Sequence, residues 1–261
     1  MPPAKTAKAV VSPAIVSQAE WLPARRALLE QEKAFTKQRD ELSRKLRELP
    51  WVRVEKNYVF DSVHGSVSLS DLFAGRTQLI VYHFMFGPEW TEGCPSCSLV
   101  ADNIVPSAVH LANRDTTLVL VSRAPIGKME EFRKRMGWQI PWVSSLGNSF
   151  NWDYHVSFTQ EDVKRGKAYY NFDVGWFPGE EGQGVSVFYK DAQGSIFHTY
   201  SAYARGAEPL IGTYALLDLT PKGRDEDLLS FPMAWIRHHD RYPEIAKVQS
   251  AETCCHATER S

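Results

Sequence analysis

Between Leu79 and Phe86 the chain reads LIVYHFMF, a nearly unbroken apolar run. A run this short stays apolar throughout only where both faces of a strand are covered, so it marks a central strand with other elements packed on each side. GPEWTEG follows, and then Cys94, Pro95, Ser96 and Cys97. Pro95 signals a helix start, because the first turn of a helix leaves its N–H groups unpaired in any case. A buried strand and a helix N-terminus therefore meet at a pair of closely spaced cysteines.

The alternation continues downstream. The helix after Pro95 is expected to reach about Asn113, with a kink near Pro106. TTLVLVSR is a second buried strand, Ile126 to Met136 a second helix, and WQIPWVSS a third, shorter strand. Strand, helix, strand, helix, strand predicts two right-handed crossovers on a parallel sheet. Val185 to Tyr189 and Ile196 to Tyr200, joined through DAQG, read as a hairpin, and PLIGTYALLDLTP as the start of a final helix. Upstream, WVRVEKNYVF reads as a strand and HGSVSLSDLF as a turn and short helix.

From Ser17 to Leu49 the composition is charged and helix-favouring. Trp21, Leu28, Phe35, Leu42 and Leu49 recur every seven residues, and Leu22, Leu29 and Leu46 widen the stripe. That predicts a long amphipathic helix ended by Pro50, its seam packed on its own domain or serving as the arm of a homodimer. The expected organisation is a disordered N-terminus over 1–16, this helix over 17–50, the main domain over 51–221, and a C-terminal extension with a mobile tail over 222–261.

Hydrophobic residues make up 43% of the chain and charged residues 23%, enough to bury a substantial core. The net charge of -1 argues against nucleic acid or an anionic membrane surface as the main partner. No apolar stretch approaches the roughly 20 residues that cross a bilayer. MPPAKTAKAVVSPAIVSQAE lacks a sustained apolar segment and is interrupted by Pro13, so a cytoplasmic location is expected. The four cysteines fall as two pairs, Cys94/Cys97 and Cys254/Cys255. In a reducing compartment such pairs mean redox chemistry or metal more often than structural staples.

C-x-x-C beside a strand–helix alternation is the pattern of thioredoxin-like redox sites. Unpaired N–H groups and the positive end of the helix dipole favour a thiolate at Cys94, with Cys97 one turn on as the resolving thiol. Two other readings stand beside this one. A metal centre would draw further ligands from Cys254, Cys255 and His256 or from His238, His239 and Asp240, since one C-x-x-C supplies two of about four ligands. Alternatively the pair is simply buried. No cofactor is expected.

Thr91 makes the stretch T-x-x-C, which places a hydroxyl to orient the Cys94 thiolate toward a peroxide. A guanidinium would assist that chemistry, and Arg123 and Arg205 are the available ones. His83 within the apolar run is either a core histidine or a group tuning Cys94 from the strand end. Trp90 screens the site or merely packs near it. The HHDRY cluster reads more readily as surface than as site.

LSDLFAGRTQLIVYHFMFGPEWTEGCPSCSLVADNI resembles the start of the peroxiredoxin-type branch of the thioredoxin superfamily. More closely, the chain resembles a bacterial thioredoxin-like family, domain-of-unknown-function family 899. The resemblance lies in EWLPARRALLEQEKAFTKQRDEL, LPWVRVEKNYVF, GCPSCSLVADNI, GVSVFYKDAQG, FHTYSAYARG, LLDLTPKGRDE and RHHDRY. It implies an α/β thioredoxin-like fold with a mixed central sheet, a long N-terminal helix and a C-terminal extension. It implies a redox role for Cys94 and Cys97, with a thiol or disulfide redox partner protein or a small oxidant as reaction partner. Where thioredoxins place a cis-proline facing the dithiol, Gly184, Val185 and Ser186 stand here.

Overall fold

A computed structural model describes residues 13–243. The chain opens with helix α1 (Gln18–Arg47), capped by a reciprocal pair in which the Ser17 hydroxyl accepts from the Glu20 N–H and the Glu20 carboxylate accepts from the Ser17 N–H. It closes at Arg47, short of Pro50, with Glu48 as its C-cap. None of its residues is buried, and Trp21, Leu28, Phe35 and Leu42 are exposed. Among the described residues the seam therefore has no partner within this chain, contrary to packing on its own domain.

The segment WVRVEKNYVF is not one strand. It forms β1 (Val52–Arg53) and, after a turn, β2 (Val59–Ser62). The next stretch is expected to turn into a helix but first returns as β3 (Gly65–Ser68), antiparallel to β2, before a 3-10 turn at Asp71–Phe73. The central strand is β4 (Gln78–His83). Helix α2 (Pro95–Ile104) follows, then a 3-10 turn at Val105–Ser107 and α3 (Ala108–Ala112), so the kink falls at Pro106 as expected. Next come β5 (Thr116–Ser122), α4 (Ile126–Arg135) and β6 (Trp142–Ser144).

Short helices α5 (Phe150–Asp153) and α6 (Gln160–Arg165) and a small ribbon of β7 (Ala168–Tyr170) and β8 (Asp173–Gly175) lead to the hairpin β9 (Gly184–Lys190) and β10 (Ile196–Tyr203). Helix α7 (Gly212–Leu217) is the last α-helix among the described residues, and none of their helices is long and apolar enough to cross a membrane.

The main sheet runs β1-β10-β9-β4-β5-β6-β2-β3. β4, β5 and β6 are parallel, whereas β9 is antiparallel to both β4 and β10. A parallel pair bearing the dithiol helix, flanked by an antiparallel hairpin, is the thioredoxin-like arrangement. Both crossovers step the same way across the sheet, so right-handedness puts α2 and α4 on one face.

Strand alternation then sorts β4. Tyr82, with Phe84 and Phe86 just beyond the strand, joins Cys97, Val100, Met129, Phe132, Trp138 and Trp142 in the core on the helix face. Leu79 and Val81 join Tyr58, Phe60, Phe73, Phe150 and Phe188 in the core on the other face.

Candidate functional site

Cys94 is the N-cap of α2 and Pro95 its first residue, as the proline signal predicts. Four contacts pin the loop from Gly87 to Gly93 and its flanks. The Cys94 N–H donates to the Met85 carbonyl at 3.0 Å, and the Met85 N–H points back at Cys97 Sγ at 3.5 Å. Lys128 Nζ donates to the carbonyls of Pro88 and Trp90 at 2.9 and 3.0 Å. The cysteines differ in access: Cys94 is half-buried and Cys97 is buried. Both are free thiols.

Their electrostatics differ in the same sense. No cap hydrogen bond closes on the Cys94 sulfur. The Cys97 thiol still holds its pKa down to about 7, against the burial that pushes it up, and the amides of Cys97 and Ser96 and the Ser96 hydroxyl help. Burial and the neighbouring Cys94 sulfur push the Cys97 thiol well above its ordinary value. The pair is thus divided into a half-buried Cys94 favoured toward the thiolate and a buried Cys97 held toward the thiol.

Among nearby hydroxyls it is that of Ser96 that helps hold the Cys94 pKa down. Thr91 is exposed, and its side chain makes no hydrogen bond among the described residues. His83 lies on the opposite face of the sheet, stacked on Tyr154, with Nε2 and Ser186 Oγ 2.8 Å apart. Burial lowers its pKa to about 3, so it is a neutral core histidine and does not tune Cys94. Arg123 is committed elsewhere, paired with buried Glu181 at 2.9 Å and stacked over Trp152. Arg205 does reach the cavity beside the cysteines, but it is paired there with Glu208 at 3.1 Å. Trp90 lines a second cleft with Cys94, Pro95 and His238.

The sequence reading missed the C-terminal segment. His238 is buried, with Nε2 2.8 Å from the carbonyl of Gly93, the residue before Cys94. A carbonyl only accepts, so Nε2 carries the proton and Nδ1 accepts from Arg135 Nη2 at 3.0 Å. Arg135 also pairs with Asp240 and with Glu92, and Glu92 in turn pairs with Arg241, which holds its carboxyl below the usual range. His239 Nδ1 meets Asp102 Oδ1 on α2 at 2.8 Å. HHDRY is therefore a strap across the dithiol loop. Replacing His238 with Phe keeps its packing on Phe132 but strands the Gly93 carbonyl. The expected cost is about 1–3 kcal/mol, read as a lower urea midpoint at unchanged slope.

Among the described residues no three His, Cys, Asp or Glu side chains gather as a metal site would require. Cys254, Cys255 and His256 lie outside those residues. A larger cleft of about 430 Å³ on the other side of the sheet, lined by Asp153, His155 and His198, contains neither described thiol.

The family described as bacterial protein of unknown function (DUF899) matches residues 10–242, and the chain belongs to this family. A search of curated proteins finds no match. Among solved structures, the chain is similar to the peroxidoxin BcpB from Mycobacterium tuberculosis at 13% identity, covering 63% of this chain and 95% of that one, with a TM-score of 0.43. It is similar to peroxiredoxin Q of Xanthomonas campestris at 13% identity, covering 63% and 91%, with a TM-score of 0.42. The yeast mitochondrial 1-Cys peroxiredoxin matches at 14% identity, covering 62% and 74%, with a TM-score of 0.38.

Proposed function

We propose that this DUF899 protein is a thiol–disulfide oxidoreductase working from Cys94 and Cys97. The observation that carries the reading is the division within the pair: a half-buried Cys94 held toward the thiolate and a buried Cys97 held as the thiol. The Cys94 thiolate attacks one sulfur of a substrate disulfide, forming a mixed disulfide and expelling the other sulfur as a thiolate. Cys97 gives up its proton to that departing side and attacks Cys94 Sγ. The Cys94–Cys97 bond closes and the second substrate thiol leaves. The substrate gains two electrons and the dithiol loses them, and an external dithiol restores the reduced state. Ser96, the helix amides and the strap hold Cys94; a cytoplasmic location suits the free thiols.

The test is the pH dependence of iodoacetamide alkylation of the reduced protein. Thiolate fraction rises with pH through the pKa, so the rate is expected to climb with a midpoint near pH 7, with one label placed on Cys94 and none on Cys97. A midpoint at the ordinary cysteine value of about 8.5 or above would remove the basis of the assignment.

A further inference from the structure

We infer that the cleft on the sheet face opposite the cysteines is a second binding site, for a small neutral aromatic molecule that donates a phenol-type O–H to His198 Nδ1. It shares no lining residue with either cleft at the cysteines, so it stands or falls apart from the redox reading.

Three neighbouring strands, β10, β9 and β4, supply its polar end. In a regular strand His198 and Ser201 would face opposite ways, because side chains alternate. Here β10 carries a bulge: His198 pairs with Phe188 and Tyr200 with Val187, which leaves Thr199 unpaired. The extra residue brings His198 and Ser201 onto one face, with His198 Nε2 2.7 Å from Ser201 Oγ. Ser201 lies opposite Ser186 on β9, their hydroxyls 2.8 Å apart, and Ser186 Oγ lies 2.8 Å from Nε2 of His83 on β4. A hydrogen-bonded row thus crosses the sheet from buried His83 to His198 in the cleft.

The Tyr200 carbonyl sets the direction of that row. His198 Nε2 lies 3.0 Å from it, and a carbonyl only accepts, so Nε2 carries the proton. Ser201 accepts from Nε2 and donates to Ser186, and Ser186 donates to His83 Nε2. The buried end of the row is then the His83 Nδ1–H, which has no partner among the described residues. The open end is the lone pair of His198 Nδ1, which hydrogen-bonds no described residue. Burial lowers the His198 pKa, which keeps that lone pair at neutral pH, and a donor in the cleft completes the row.

The remaining lining fixes the body of the molecule. The cavity of about 430 Å³ suits a small ligand, and Tyr154, His155, Tyr169, Phe172 and Tyr203 line it with rings. Phe172 meets Tyr203 edge-on at 5.4 Å, and His155 meets Tyr169 edge-on at 4.5 Å. The charges at the cleft cancel. Arg53 pairs with Glu55 at 3.6 Å and Lys56 with Asp153 at 2.7 Å, which leaves no ion to be matched by a charged ligand. Burial lowers the His155 pKa as well, so that imidazole is neutral too.

Strain gathers at the same place. His155, Asn171 and Phe172, all lining the cleft, hold left-handed backbones with φ of 54°, 53° and 66°. Asn171 and Phe172 form the two-residue turn of the β7–β8 ribbon, and the second position of such a turn favours Gly. A bulky aromatic held in that conformation is an outlier, and such outliers collect at ligand clamps. Phe172 is 65% exposed, so packing within the chain does not account for it; a ring bound in the cleft would cover it.

Titration of the full chain with phenol, anisole and benzoate at neutral pH, followed by NMR of the backbone amides and imidazole nitrogens, tests this. Phenol is expected to shift the amides around His155, Phe172 and His198 together with the His198 Nδ1 resonance. It is expected to bind about fivefold tighter than anisole, which lacks the donor, and tighter than benzoate, whose charge finds no partner. Phe172→Gly suits the turn and is expected to weaken phenol about tenfold. His198→Phe is expected to bring phenol and anisole level. Equal binding of phenol and anisole by the wild type overturns the inference, as does benzoate binding as tightly as phenol. Shifts that map outside the cleft, an unchanged affinity in Phe172→Gly, or no phenol binding up to about 10 mM do the same. If His198→Phe does not fold, the wild-type ratios and Phe172→Gly decide.

Discussion

Cys94→Ser is expected to lower disulfide exchange by roughly 10³-fold or more, to the background of the solution thiols. A serine hydroxyl at the same N-cap stays protonated at neutral pH, and the field that gives Cys94 a pKa near 7 acts on nothing that ionises there. The companion variant separates the two roles. Cys97 is 1% exposed, so its reach is limited to Cys94. Cys97→Ser is therefore expected to attack substrate but stall as a mixed disulfide at Cys94. Peptide-mapping mass spectrometry would then find an adduct at Cys94 in Cys97→Ser and none at Cys97 in Cys94→Ser. Equal turnover in wild type and Cys94→Ser would contradict the assignment.

Gly93→Ala is expected to damage the site without touching either sulfur. A Cβ at Gly93 would lie 2.6 Å from Phe84 Cε1 and 3.1 Å from Phe132 Cε1. Phe84 has no room to yield, because it is 1% exposed and wedged against Trp142 with ring centroids 4.7 Å apart. The loop must shift instead, straining the Cys94 N–H to Met85 bond and the His238 bond to Gly93. Overpacking of this kind costs about 1–3 kcal/mol, read from urea denaturation. Displacement of a reacting atom by about 1 Å costs up to roughly 10²-fold in rate. A folded Gly93→Ala protein with the wild-type alkylation rate at Cys94 would show that the loop tolerates the group.

The half of the fold that carries the cysteine pair is readable from local pattern. The apolar run becomes β4, Pro95 opens α2, Pro106 marks the break before α3, and the DAQG hairpin joins β9 to β10. Each of these depends on neighbours within a few residues. The edges are less readable, because β1 and β2 pair with different strands far along the chain, β10 and β6, and no local alternation says where one strand should divide.

The same reason hid the strap. His238 and Gly93 are 145 residues apart, and HHDRY carries no periodicity to say which loop it would meet. Ser96 was within reach of local reasoning. The second residue of a helix faces its N-cap, a stronger placement for a hydroxyl near Cys94 than Thr91 in the preceding loop.

The central claim is a reversible dithiol, and redox equilibration tests it most directly. The reduced full chain would be equilibrated in buffers of graded thiol-to-disulfide ratio, quenched, and its disulfides mapped by mass spectrometry. The expected result is a Cys94–Cys97 bond that forms and reopens with a midpoint of roughly -200 to -300 mV. Two cysteines that stay reduced across the whole range would contradict it.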